Sequence, residues 1–134
     1  MQPSIQQVIE KCTRDSQAGA ISFGAVVGAL MAAGVESYHA DYRAASTTYY
    51  MPTGAVHAVP LASAGIEVPQ PFDAAALQET IRGAQRGEVR YPEFVKRSIA
   101  AGCVGYIVWI AGKHVSYLGH KGEVHVEPFP AAKA

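Results

Sequence analysis

Charge is scarce in this 134-residue chain, and neither sign is in excess. Charged residues make up 16%, with 11 basic against 11 acidic and a pI near 7.0. A general nucleic-acid or anionic-membrane binder needs a basic excess somewhere. No block of like charge occurs, so no nucleic-acid and no membrane partner is expected. Cysteine is equally scarce. Cys12 and Cys103 show no CxxC spacing and no histidines at zinc-site spacing, so two reduced, buried thiols are expected. Cys12 falls in a helix and Cys103 at a strand start, with no cationic sequence neighbour to activate it. Long apolar runs are missing too. The longest, 21–35, contains Ser22, Gly24, Gly28 and Gly34; it is too short to cross a bilayer and reads as a buried helix. The first residues, Met1 to Gln7, lack a charged region followed by an apolar one. No signal peptide is therefore expected, and the expected location is cytoplasmic. Phosphate-binding glycine loops, a nucleophile-elbow serine and a groove-reading basic helix are all absent.

What the chain does have is apolar residues, 49% of the total. A chain of this size hides roughly two-thirds of its unfolded surface, so it can build a core without metal or disulfide. It also repeats itself. A shift of 68 positions, the step from Arg14 to Arg82, lays the sequence on itself without a gap. Gln17 then meets Gln85, Gly19 meets Gly87, and Ala32-Ala33-Gly34 meets Ala100-Ala101-Gly102. Tyr38 falls on Tyr106, Tyr49 on Tyr117, and Gly54, Val56, His57 and Pro60 on Gly122, Val124, His125 and Pro128. Alanine and glycine pairs could arise by chance; tyrosine, histidine, glutamine and arginine pairs at one constant offset are harder to dismiss.

The expected domain spans 1–134 as two repeats, about 1–60 and 72–130, joined by a proline-rich linker over 60–71. Each repeat reads as two helices and three strands. The first predicts helices over 4–14 and 22–33, the second stopped by Gly34 in the left-handed position. Strands follow at 35–42, 47–51 and 55–59. In the second, Asp73 caps a helix running to about 84. Pro92 suits the first turn of the next helix, which Gly102 stops. Strands follow at 103–110, 114–118 and 123–127. Short turns make each triplet an antiparallel meander. The expected class is α+β, with helices packed on one face of an antiparallel sheet. The two units are expected about a pseudo-two-fold axis that brings equivalent faces toward each other.

Alternation assigns faces along the strands. The stretch 103–110 is apolar on both sides, which predicts a central strand covered twice. In 123–127, Val124 and Val126 point one way and Glu123, His125 and Glu127 the other. Side chains two apart on a strand lie about 7 Å apart on one face, so His125 with a carboxylate could hold a divalent metal. The simpler reading is a solvated outer sheet face, because zinc sites need three or four convergent ligands. No metal ligand is therefore assigned. The second candidate group is tyrosine, 7 residues beside 4 phenylalanines and 1 tryptophan. Tyr38, Tyr49, Tyr106 and Tyr117 are repeat-related, and a rigid apolar ring with a polar tip suits a ligand pocket as well as a core.

Three further stretches carry a resemblance. They are Gln85-Arg86-Gly87-Glu88-Val89-Arg90-Tyr91-Pro92-Glu93-Phe94, then 100–106, then Tyr117, Gly119, 121–123 and 127–130, with Gly34, Val35, Tyr38, Asp41 and 48–50 upstream. Together they resemble a small bacterial family of unknown function often labelled phage envelope protein, with relatives in enterobacterial prophages. The resemblance implies a cytoplasmic single-domain protein and carries over no activity, cofactor or catalytic residue.

The leading expectation is a non-enzymatic binding module with its site between the two repeats. Its lining is assigned to His57, His125, Glu123, Glu127, Tyr38, Tyr49, Tyr106 and Tyr117. The partner expected is a small molecule or a protein segment, and a homodimer is compatible with the sequence. No cofactor and no catalytic residue is assigned. The alternatives are a metal-assisted hydrolase using His125 with Glu123 or Glu127, and a structural, prophage-type self-association module.

Overall fold

A computed structural model describes residues 1–62 and 66–130. The expected linker therefore falls partly, at 63–65, outside the described residues. Helix α1, Pro3–Gln17, has its proline in the first turn and Arg14 in the last, both favourable placements. Helix α2, Phe23–Ala32, starts where Ser22 Oγ accepts from the Ala25 amide at 3.2 Å. The strands β1, Ser37–Asp41, β2, Ser46–Tyr50, and β3, Val56–Pro60, follow. Helix α3, Ala74–Gln85, is capped by Asp73, whose carboxylate accepts from the Ala76 amide at 3.0 Å. Helix α4, Tyr91–Ala100, carries Pro92 in its first turn. The strands β4, Cys103–Trp109, β5, His114–Gly119, and β6, Val124–Pro128, complete the chain. Each element lies within a few residues of its expected position, because caps, prolines and glycines mark the ends locally.

The six strands form one antiparallel sheet in the order β3-β2-β1-β4-β5-β6. The helix-helix-meander order thus occurs twice, and the two meanders meet where β1 pairs with β4. This differs from the expected face-to-face arrangement. The halves join edge to edge, which satisfies the backbone groups that β1 and β4 would otherwise leave open.

Burial alternates along β2, β3, β5 and β6, and the polar links from helices to strands leave one face. Glu10 on α1 reaches His57, Arg82 on α3 reaches Glu127, and the Tyr91 hydroxyl on α4 meets that of Tyr106 at 3.0 Å. The core lies between this face and the helices, around Ile9, Leu30, Leu77, Ile81, Val108 and Ile99. The opposite face carries Val56, Trp109, Val124 and Val126, all exposed. Strand β4 is central, as its composition suggested, and it is buried on both sides from Cys103 to Tyr106, but its outward face opens at the far end. Trp109 is 39% exposed. The assignment of the wet side of β6 is likewise reversed. Val124 and Val126 face outward, while His125 and Glu127 face the helices. Alternation fixes which residues share a face, but not which face the helices cover.

Candidate functional site

Two rows of side chains cross the helix-facing side of the sheet. One runs His57, Tyr49, Tyr38, Val108, Val115, Glu127, strand by strand. The other runs Val59, Thr47, Ala40, Tyr106, Tyr117, His125. Shifted by the sequence offset, the first row becomes the second read backwards, with Glu127 answered by Val59. The tyrosines therefore come together at the middle of the sheet and the histidines go to its two edges. His57 and His125 stand five strand spacings apart, roughly 24 Å.

Above the tyrosines the helices leave a cavity of about 550 Å³. Tyr38, Tyr49, Tyr106, Tyr117 and Glu127 line it. Cys12 on α1, Val27 on α2, Ala84 on α3 and Phe94 on α4 bring the helices to its wall. Both halves contribute. The rings form one connected cluster. Tyr38 stacks on Tyr49 with centroids 5.1 Å apart, and Tyr106 meets Tyr38, Phe94 and Tyr117 at 6.5, 6.1 and 5.7 Å. Burial pushes the phenols up: Tyr49 and Tyr91 to about 12, with Tyr38 and Tyr106 also raised well above the ordinary phenol value. These hydroxyls stay protonated at neutral pH and can donate as well as accept. Tyr91 and Tyr106 use theirs on each other. Among the described residues, the hydroxyls of Tyr38 and Tyr117 have no hydrogen-bond partner.

Glu127 is the acidic residue in this wall, and its side chain is 10% exposed. One oxygen accepts from Arg82 Nη1, and the other accepts from His125 Nε2 at 3.0 Å. A carboxylate only accepts, so Nε2 is the protonated nitrogen of His125. His125 is held beside the cavity through Glu127 and the Tyr117 ring, 6.3 Å away, without lining it.

The other expected site residues go elsewhere. His57 lies outside the cavity lining; its Nε2 is buried without a hydrogen bond, 3.8 Å from Glu10 Oε2. Glu123 turns back on its own loop, where Oε1 accepts from the Lys121 amide at 2.8 Å. It does not converge with His125 and Glu127. Among the described residues no three His, Cys, Asp or Glu side chains are grouped to hold a metal ion. Cys12 and Cys103 are free and buried, and burial raises both thiols.

Sequence reasoning missed Tyr91 and Phe94, although their spacing of three puts them on one helix face. It also missed Arg82 as the partner of Glu127. The match of Arg14 with Arg82 pointed to the position, but only the fold brings α3 to β6.

No protein-family model matches the chain, and no curated protein matches it significantly. Among the described residues, no helix is long and apolar enough to cross a membrane.

Proposed function

We propose that this protein is a non-enzymatic binding module that takes a small molecule into the cavity between its helices and its sheet. One observation carries the reading: a tyrosine-lined space of about 550 Å³, with contributions from both halves and a buried carboxylate in its wall. That volume falls within the range of ligand sites, and a few polar groups in an apolar wall are what orient a ligand. The hydroxyls of Tyr38 and Tyr117 support it further, since among the described residues no protein group bonds them and they are free to donate to or accept from a ligand.

The same reading includes an internal duplication of an ααβββ unit about a pseudo-two-fold axis. Support comes from the backbone. The residues with positive φ fall in pairs at the sequence offset: Gly19 and Gly87, Gly34 and Gly102, Ala45 and Lys113, Gly54 and Gly122. The axis would pass through the pairing of His39 with Ile107. The reading also keeps the cytoplasmic location and the resemblance to the family labelled phage envelope protein.

The test is titration with the neutral fluorophore N-phenyl-1-naphthylamine. Binding at one site per chain is expected, with loss in Ala84→Phe, which fills the cavity from α3. Absence of binding, or equal binding by the filled variant, would overturn the reading.

A second reading, self-association through the open sheet face, rests on the exposure of Trp109, Val124 and Val126. It requires a dimer in sedimentation velocity that Trp109→Lys converts to monomer; a monomeric wild type removes it.

A further inference from the structure

We infer that the cavity takes an uncharged molecule with an apolar body and two oxygen-bearing groups, one received by the Tyr38 hydroxyl and one by that of Tyr117. This rests on the cavity being a small-molecule site. Each half of the chain bonds one of its two central tyrosines from a helix and leaves the other unbonded. At the offset that carries Arg14 to Arg82, Tyr38 matches Tyr106 and Tyr49 matches Tyr117. Tyr106 meets the hydroxyl of Tyr91, the first residue of α4, at 3.0 Å. The first residue of α2 is Phe23, which has no hydroxyl to offer Tyr38. Tyr49 is hydrogen-bonded by the Thr13 side chain of α1. The matching residue of α3 is Ile81, which has no hydroxyl to offer Tyr117. All four helix residues line the cavity.

Tyr38 and Tyr117 are both buried and line the cavity, and neither oxygen is sealed inside the core. A ligand group at each would do there what Tyr91 and Thr13 do for the other two tyrosines. A phenol both donates and accepts, so a hydroxyl or a carbonyl serves equally. Tyr38 on β1 and Tyr117 on β5 share one sheet face, two strands and two residues apart. Their Cα atoms are thus separated by about 12 Å. The two oxygens therefore belong at opposite ends of the molecule rather than on neighbouring atoms.

Charge finds no counterpart in this wall. Both Glu127 oxygens are taken, one by Arg82 and the other by His125. Arg90, the other charged residue of the described lining, is exposed to water at the start of α4. An ion would give up its hydration shell with no buried opposite charge to replace it, whereas a neutral group loses far less.

The experiment displaces bound N-phenyl-1-naphthylamine with biphenyl, its para-hydroxy and para,para′-dihydroxy derivatives, and its para,para′-dicarboxylate. All four share one rigid apolar body. Each hydroxyl makes the molecule more comfortable in water, so an apolar cavity alone would favour biphenyl. The diol is expected instead to displace the probe at a concentration about tenfold lower than biphenyl. The monohydroxy compound should fall between them, and the dicarboxylate should be weakest. Tyr38→Phe and Tyr117→Phe should each remove part of the diol's advantage. If biphenyl displaces as well as the diol, if the dicarboxylate matches the diol, or if either variant keeps the full advantage, the inference is overturned while the cavity reading stands. If N-phenyl-1-naphthylamine does not bind, both fall. The ranking uses the unaltered protein, so it decides the matter even if a variant fails to fold.

Discussion

Arg82 on α3 donates to Glu127 on β6, tying the first helix of the second unit to the last strand of the sheet. The pair is lopsided, since the arginine is half in water and the carboxylate is buried. Removing the arginine leaves a buried charge supported only by His125. Removing the carboxylate leaves an arginine that water can solvate. Arg82→Ala should therefore cost more than Glu127→Val, about 1–2 kcal/mol against less than about 1 kcal/mol. The valine is also what the chain carries at the matching position, Val59. Urea denaturation of the two variants measures this. Equal losses would mean that mutual attraction, rather than the support of a buried charge, is what the pair contributes.

The buried tyrosines set a limit at alkaline pH. Tyr49 and Tyr91 are raised from 10.0 to about 12 by burial. A raised acid stabilises the fold fully below its unfolded pKa, and that stability is lost as pH rises through the folded value. Stability should therefore hold up to about pH 10 and fall across the interval to about pH 12. The tyrosinate absorbance of the buried rings and the circular dichroism, recorded together, should change in one cooperative step. Ionisation of these phenols with the fold intact would contradict their burial.

Hydroxyl removal should separate partnered from unpartnered tyrosines. The Tyr42 hydroxyl meets Ser98 Oγ at 2.8 Å inside the core. Tyr42→Phe is expected to cost about 1–2 kcal/mol. Tyr38→Phe and Tyr117→Phe should stay within about 0.5 kcal/mol of the wild type or gain stability, because no protein bond is lost. Thermal melts of the three variants without ligand test the contrast.

Gly34 and Gly102 offer a comparison at one backbone angle, φ +86 in both. A Cβ at Gly34 would meet only the end of Met51, at 3.5 Å, whereas one at Gly102 would lie 2.0 Å from the Pro71 carbonyl oxygen. Gly34→Ala should cost about 1–2 kcal/mol, the left-handed penalty alone. Gly102→Ala should cost roughly 3 kcal/mol or more, because the chain entering α3 must shift. Chemical denaturation distinguishes these; equal costs would show that the Pro71 segment yields freely.

Much of this architecture was legible in the sequence. Asp73, Pro92, Gly34 and Gly102 act within a turn of their own position, so helix ends could be read from local rules. Strand alternation grouped His125 with Glu127 and Val124 with Val126. The tyrosines were legible as a set because their spacing repeats.

The sequence by itself determined which elements form and which side chains share a face, since both depend on backbone periodicity and short-range capping. It did not determine which face the helices cover, how the two halves join, or that Tyr91 and Arg82 meet residues 15 and 45 positions away. Those were decided by the tertiary structure. Pairing β1 with β4 edge to edge gathers the tyrosines at the centre of the sheet, sends His57 and His125 to opposite edges, and leaves the cavity beneath the helices.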